Sequence, residues 1–115
     1  MNKNSPNIAI RAIYRKATAY PEVRIFASAE EIYELLGRKP FSHIHIKDSV
    51  HAIARPLARV EKKPLNLCTT VQVGTTLYTE SAYGDTVICN YDPETEILSS
   101  LTAAEIKYFM DLLMV

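Results

Sequence analysis

The stretch that decides the fold lies in the last third of the chain and reads YGDTVICNYD, residues 83–92. Gly84 and Asp85 are turn formers, and the β-branched and apolar residues behind them favour a strand. A second turn follows at Asp92-Pro93, because the residue before a proline avoids the helical region. The segment SLTAAEI, residues 100–106, then begins a helix. The chain therefore ends in a strand followed by a helix.

Two capping boxes mark the starts of the predicted helices. In the first, the Ser28 hydroxyl can accept from the amide of Glu31, and the Glu31 carboxylate can bond the serine amide in return. Thr102 and Glu105 have the same spacing before the last helix. Gly37 ends the first helix, because glycine adopts the left-handed conformation that helix ends require. The sequence therefore predicts two helices in well-defined places.

The last helix carries an apolar stripe at helical spacing, formed by Ile106, Phe109, Met110 and Leu113. Four more residues widen this stripe: Tyr108, Leu112, Met114 and Val115. A helix that is apolar around more than half its girth is either deeply docked or shared with a second subunit. Both alternatives stay open, and the second predicts a homodimer through this helix.

Alternating and β-branched segments predict strands in the rest of the chain, at residues 7–15, 22–26, 41–47, 50–56, 67–73, 75–80 and 85–91. Asp48-Ser49 is the predicted turn of a hairpin. The sequence predicts one α+β domain over residues 1–115, with a mainly antiparallel sheet of five to seven strands and two helices packed on it. Residues 1–6 are polar and are expected to be disordered.

Composition restricts the function classes. The 13 basic and 13 acidic side chains cancel, which argues against broad, salt-driven binding to nucleic acid. That alternative needs the following residues on one face: Lys16, Arg24, Arg55, Arg59, Lys62 and Lys63. No apolar run approaches the roughly 18 residues that cross a bilayer. The first residues lack a signal-peptide pattern, so we expect a cytoplasmic protein with Cys68 and Cys89 reduced.

Three histidines raise the question of a metal site. His43 and His45 are two apart on a predicted strand and so share a face. A two-residue turn at Asp48-Ser49 pairs Ile46 with His51, which places His51 on the opposite face. A three-histidine zinc site needs its ligands on one face. We therefore predict no metal site and no cofactor.

Catalytic patterns are also missing from the sequence. Cys89 has apolar neighbours and no local base, which favours a buried, inert thiol over a nucleophile. The three glycines are scattered, so no phosphate-cradling loop is present. A site assembled from distant strands leaves no local motif, so an enzyme remains an open alternative without an assigned catalytic residue.

Binding residues are predicted in two alternative sets. Tyr78 and Tyr83 lie near the ends of late strands, where tyrosines often make interface contacts, and Arg55 and Arg59 could join them in binding a protein partner. Alternatively, His43, His45 and Arg55 could hold the phosphate oxygens of a nucleotide-like anion. The first alternative is our main expectation.

Both ends of the chain resemble a family of small uncharacterised proteins, a domain of unknown function. The residues concerned are YPEV (20–23) and AEEIYELLG (29–37) at one end, and YGDTVICNYD (83–92) with SLT (100–102) at the other. The family occurs mostly in phages, plasmids and integrative elements of Firmicutes bacteria. Arg38 stands where a second glycine is expected, and residues 56–67 do not match. The resemblance implies an accessory protein of a mobile element.

Overall fold

A computed structural model of the chain describes residues 8–16, 19–37, 41–54, 65–73 and 75–113, without the side chains of residues 42, 65–73 and 78–83. Within these residues eight strands and two helices follow in the order β1 (Ile10–Arg15), β2 (Glu22–Phe26), α1 (Ala29–Leu36), β3 (Ser42–Lys47), β4 (Val50–Ala54), β5 (Leu65–Val73), β6 (Thr76–Tyr83), β7 (Thr86–Asp92), β8 (Ile97–Ser99) and α2 (Ala103–Leu113). The predicted α+β class is confirmed.

Six of these strands form one sheet in which every pairing is antiparallel, with β7 at its centre. The main path runs β2-β1-β7-β4-β3, and β8 also pairs with β7. One edge of β7 pairs with β4, while its other edge pairs first with β1 and then with β8. The strands β5 and β6 form a separate two-stranded hairpin between β4 and β7.

Both faces of this sheet are covered. Along β7, Val87 and Cys89 belong to one core cluster while Ile88 between them belongs to a second, and all three are buried. Successive side chains of a strand point to opposite faces, so a strand that is apolar at every position needs a cover on each side. The run VIC in the deciding stretch therefore specifies a three-layered domain.

One helix supplies each cover. The first cluster contains Ile32 and Leu36 of α1, and we call its side of the sheet the α1 face. The second contains Phe109 of α2, and we call its side the α2 face. The two helices were expected to pack on the sheet, and the structure places them on opposite sides.

The predicted caps fix where both helices begin and where α1 ends. Glu31 N donates to Ser28 Oγ at 3.4 Å, and Gly37 follows α1 with a φ of 95°. A side chain with a Cβ is strained at such a positive φ, which glycine avoids. Before α2, Glu105 N donates to Thr102 Oγ1 at 3.1 Å, and Thr102 N donates to Glu105 Oε1 at 2.8 Å.

The strand β8 is absent from the sequence prediction. It has three residues, and Leu98 is the buried one in this described strand. So short a strand leaves no detectable alternation in the sequence. Its position depends on the turn after β7, where Glu96 has a φ of 58° and Glu96 N donates to Asp92 O at 2.6 Å. This turn becomes one wall of the groove described below.

Candidate functional site

The three histidines lie on one face of the sheet, so the prediction that His51 faces away from the other two is wrong. His45 on β3 is paired directly with His51 on β4, and His43 is paired with Ile53. The Asp48-Ser49 turn does join Lys47 to Val50 as predicted, but the register shifts between His45 and Lys47. This β-bulge inserts one residue and rotates the rest of β3 by one position.

The prediction failed because it assumed one apolar face. It required Ile44 and Ile53 to share a side, since a one-residue slip exposes hydrophobic residues when only one face is buried. In the structure Ile44 is buried on the α2 face and Ile53 on the α1 face. Ile46, the residue inserted at the bulge, packs against the α2-face cluster. Hydrophobic burial therefore permits the register that brings the imidazoles together.

The imidazole rings gather around a tyrosine of the central strand. The His43 ring stacks on the Tyr91 ring with centroids 4.1 Å apart, and the His51 ring meets Tyr91 edge-on at 5.2 Å. The His45 and His51 centroids are 5.0 Å apart. We call these four residues the imidazole–tyrosine cluster.

Backbone carbonyls of the β3–β4 turn fix the ring tautomers. His51 Nδ1 donates to Ser49 O at 3.0 Å, and His45 Nε2 donates to Asp48 O. A carbonyl oxygen can only accept, so each of these nitrogens carries its proton. In the neutral rings, His51 Nε2 and His45 Nδ1 therefore carry the lone pairs that can accept from a ligand.

Burial keeps His51 uncharged. Loss of contact with water lowers the pKa of His51 below its ordinary value, the Ser49 carbonyl opposes this by favouring the protonated ring, and neighbouring His45 adds to the lowering. His51 is among the buried polar residues, whereas His45 is exposed. At neutral pH the buried ring thus acts as a hydrogen-bonding group without charge.

A groove of about 670 Å³ opens beside the imidazole–tyrosine cluster, between the β3–β4 turn and the β7–β8 turn. Its described lining consists of His45, Asp48, Ser49, His51, Asn90, Tyr91, Asp92, Pro93 and Ser99. Asp48 and Asp92 are the carboxylates in that lining, and neither lysine nor arginine is part of it. The described lining therefore carries two acidic groups.

Hydrogen bonds make the wall of the groove stiff. Ser49 Oγ donates to Asn90 Oδ1 at 2.6 Å, and Ser49 O accepts from Tyr91 N at 2.9 Å. Asn90 Nδ2 donates to Ser100 O at 2.9 Å and to Glu105 Oε1 at 3.1 Å. The turn, the central strand and the start of α2 are joined by this one amide side chain. The groove is therefore formed before any ligand arrives.

Two further features bear on catalysis and metal binding. Within the described ranges, no group of three or more His, Cys, Asp or Glu residues could hold a metal ion. Cys89 is a free, buried thiol, and burial raises its pKa to about 12. A thiol that ionises so poorly is a weak nucleophile. The sequence-based prediction that Cys89 is buried is confirmed.

Several predicted binding residues lie outside the described part of the chain. Arg55 and Arg59 are outside it, and Tyr78 and Tyr83 lie on β6 without described side chains. The protein-binding set is therefore not tested. Of the predicted anion-binding residues, His45 lines the groove and His43 stacks on Tyr91.

The prediction of a homodimer through the last helix also remains a prediction. Tyr108 and Leu112 are 50% and 57% exposed, so both are available for contact. Met114 and Val115 lie outside the described residues.

Sequence reasoning missed most of the groove. It identified the turns at Asp48-Ser49 and Asp92-Pro93 as connections, with no signal that they approach each other. The pairing of β4 with β7 brings them together, with Val50 opposite Asn90. The signal that could have located the groove is a turn before one strand and a turn after the strand that pairs with it antiparallel.

The chain was compared with protein-family models, with curated proteins and with solved structures, and none of them matches. In the described part of the chain, neither helix has the length and apolar character that crossing a membrane requires.

Proposed function

We propose that this protein binds an ammonium or guanidinium group in the groove between the β3–β4 and β7–β8 turns. The group could belong to a small amine or to a lysine or arginine side chain of a protein partner. The single observation that carries this proposal is the acidity of the described lining, to which Asp48 and Asp92 contribute their carboxylates.

The chemistry of the lining suits such a group. Ammonium and guanidinium ions only donate hydrogen bonds, and carboxylates only accept them. The lone pair on Nε2 of the uncharged His51 ring adds a neutral acceptor. The Tyr91 ring offers a π-system that attracts cations, an effect worth about 0.5–2 kcal/mol depending on how far the site is desolvated.

The size of the groove agrees with a ligand of this kind. Its volume of about 670 Å³ falls within the roughly 300–1,000 Å³ that small-molecule sites occupy. Because the Ser49–Asn90 hydrogen bond and the Glu105 contact hold the walls, little entropy is lost in ordering the site when a ligand binds.

The nucleotide-like anion predicted from His43, His45 and Arg55 is less well supported. Burial disfavours a positive charge on His51, and the two carboxylates of the lining repel phosphate. His43 already stacks on Tyr91. Phosphate binding would therefore depend on Arg55, outside the described residues.

Parallel titrations separate the two sources of the cation. Putrescine, arginine amide and a Gly/Ser peptide with one central arginine would be titrated by isothermal calorimetry at neutral pH, beside inorganic phosphate and adenosine monophosphate. Binding by the free amines supports a small-molecule ligand. Binding by the peptide alone supports a protein partner. Binding by the phosphates with none by the cations overturns the proposal.

Matched variants locate the site. Asp48→Asn keeps a side chain that tolerates the positive φ of 52° at this position, and Asp92→Asn keeps an oxygen for the hydrogen bond from Glu94 N. We expect the double variant to lose at least about tenfold in cation affinity, since hydrogen bonds to charged groups contribute about 1.5–3 kcal/mol each. Asp111→Asn, which removes a carboxylate from α2 outside the groove, is the control. Unchanged affinity in the double variant contradicts the proposed site.

The biological setting is a further proposal, supported by the resemblance of both chain ends to mobile-element proteins. In that setting a cytoplasmic accessory protein would bind a basic segment of a host or element protein. Affinity capture from the native host should recover a stoichiometric partner from wild type, and less of it from the Asp48→Asn, Asp92→Asn double variant. Equal capture by wild type and by the double variant would show that the partner does not bind in the groove.

A further inference from the structure

The strand β2 forms one edge of the six-stranded sheet. Its described pairing is with β1 alone, over Ile10–Tyr14 and Glu22–Phe26. Four of its five residues are exposed. An edge strand presents unpaired backbone donors and acceptors, and it can pair with another strand unless something prevents it.

Apolar side chains accompany this open edge. Val23 and Ile25 lie on the α2 face and are 46% and 62% exposed, and Tyr20 just before the strand is 78% exposed. These are three of the large hydrophobic residues that the described surface exposes. Proteins usually protect an edge with a proline, a bulge or several like charges. None of these interrupts Glu22–Phe26.

The charges on β2 have opposite signs and share a face. Glu22 is paired with Tyr14, and Arg24 with Ala12, which places both on the α1 face. The Arg24 guanidinium lies 5.3 Å from the centroid of the Tyr14 ring and 5.5 Å from that of Phe26. These ring contacts keep the guanidinium on the α1 face, beside one ring of β1 and one of β2.

Two copies of β2 can pair antiparallel about a twofold axis in a limited number of registers. Directly opposed residues must point to the same side of the sheet, so the axis passes through a residue. An axis at Glu22 places Glu22 opposite its own copy, and an axis at Arg24 places Arg24 opposite its own copy. An axis at Ile25 leaves both charges without an opposite partner.

The register centred on Val23 satisfies every charged side chain of the strand. It places Glu22 of each copy opposite Arg24 of the other, so that two reciprocal ion pairs form on the α1 face. Val23 meets its own copy on the α2 face. Cross-strand pairs of opposite charge and β-branched pairs each stabilise a sheet by about 0.2–1 kcal/mol.

We propose that β2 is a self-association edge, and that its partner is a second copy of this chain paired antiparallel about Val23. The two sheets then continue into one, and in each copy β1 separates the shared edge from β7, which carries part of the groove. A short strand pair buries little area, so the dimer is weak and forms at high protein concentration.

Charge reversal tests the register. Glu22→Arg opposes two arginines, and Arg24→Glu opposes two glutamates, so each single variant should be monomeric by sedimentation equilibrium at concentrations where wild type is dimeric. The double variant Glu22→Arg, Arg24→Glu restores opposite signs and should dimerise like wild type. An equimolar mixture of the two single variants should form a heterodimer.

Two observations would overturn the proposal. One is a wild-type chain that stays monomeric at millimolar concentration. The other is dimerisation that the single reversals leave unchanged. Leu112→Ser on α2 is the matched control, and it should leave the dimer intact. Loss of the dimer in Leu112→Ser, with none in the β2 reversals, would assign self-association to the C-terminal helix. Circular dichroism of each variant shows that the fold is retained.

Discussion

His45 and His51 lie directly opposite each other on neighbouring antiparallel strands, with ring centroids 5.0 Å apart. Each ring donates one N–H to a carbonyl of the same two-residue turn. The β-bulge at Ile46 is what makes them partners, because it shifts β3 by one residue relative to β4. A local backbone irregularity thus creates the acceptor side of the groove.

Stability should fall on acidification through His51. Its folded pKa lies below the ordinary 6.5, chiefly because of burial, so the unfolded chain binds more protons. The stability from this group is full above about pH 6.5 and is lost as pH falls through the folded pKa. We expect the free energy of unfolding of His51→Gln, measured in urea, to decline less over this range than that of wild type. An equal decline in both proteins would contradict the pKa lowering.

Asn90→Asp should destabilise the protein more at neutral than at acidic pH. It removes the amide that donates to Ser100 O and Glu105 Oε1 and places a carboxylate against Glu105, for a loss of about 2 kcal/mol in urea unfolding. The hydrogen bond from Thr102 N is the main cause that lowers the pKa of Glu105, and the hydrogen bond from the Asn90 amide lowers it further. Adding Glu105→Gln restores a donor across this contact and keeps a capping-box residue, so it should recover most of the loss. No recovery would show that the repulsion is unimportant.

Two isoleucines on different strands provide a matched test of the core. Ile53 is fully buried on the α1 face, whereas Ile25 on the β2 edge is 62% exposed. Ile53→Ala should cost about 2–5 kcal/mol of unfolding free energy. Ile25→Ala should cost under about 1 kcal/mol, measured at low protein concentration to avoid self-association. Similar losses in the two variants would mean that Ile53 is less well packed than the structure shows.

The Cys89 thiol should react slowly with a disulfide reagent in the native protein. Burial raises its pKa to about 12, which at about pH 8 lowers the thiolate fraction on the order of 10³-fold relative to an ordinary cysteine. The measurement uses a Cys68→Ser background so that one thiol is followed. We expect the rate to rise steeply with urea as the core opens. Fast modification without denaturant would contradict the burial of Cys89.

Local signals in the sequence predicted most of the elements. Ser28, Gly37 and the Thr102–Glu105 box determine helix ends by hydrogen bonds within a few residues, so they can be recognised without the fold. The strand at Glu22–Phe26 is confirmed with the same bounds. The predicted segment 75–80 was too short, since β6 reaches Tyr83. Strand β8 was missed because three residues carry no periodicity.

The groove could not be predicted in the same way. Asp48 and Asp92 lie far apart in the chain, and they line one groove because β4 pairs with β7. The side that His51 faces depended on one inserted residue at Ile46, which a pattern of alternating residues cannot show when both faces are covered.

The sequence by itself determined the helix ends, the turns and a central strand that is apolar on both sides, because those depend on neighbours along the chain. The tertiary structure decided which turns meet, which face carries the imidazoles and which strands form the edges of the described sheet. These depend on strand register and pairing order, where a shift of one residue exchanges the two faces of a strand at little cost in burial.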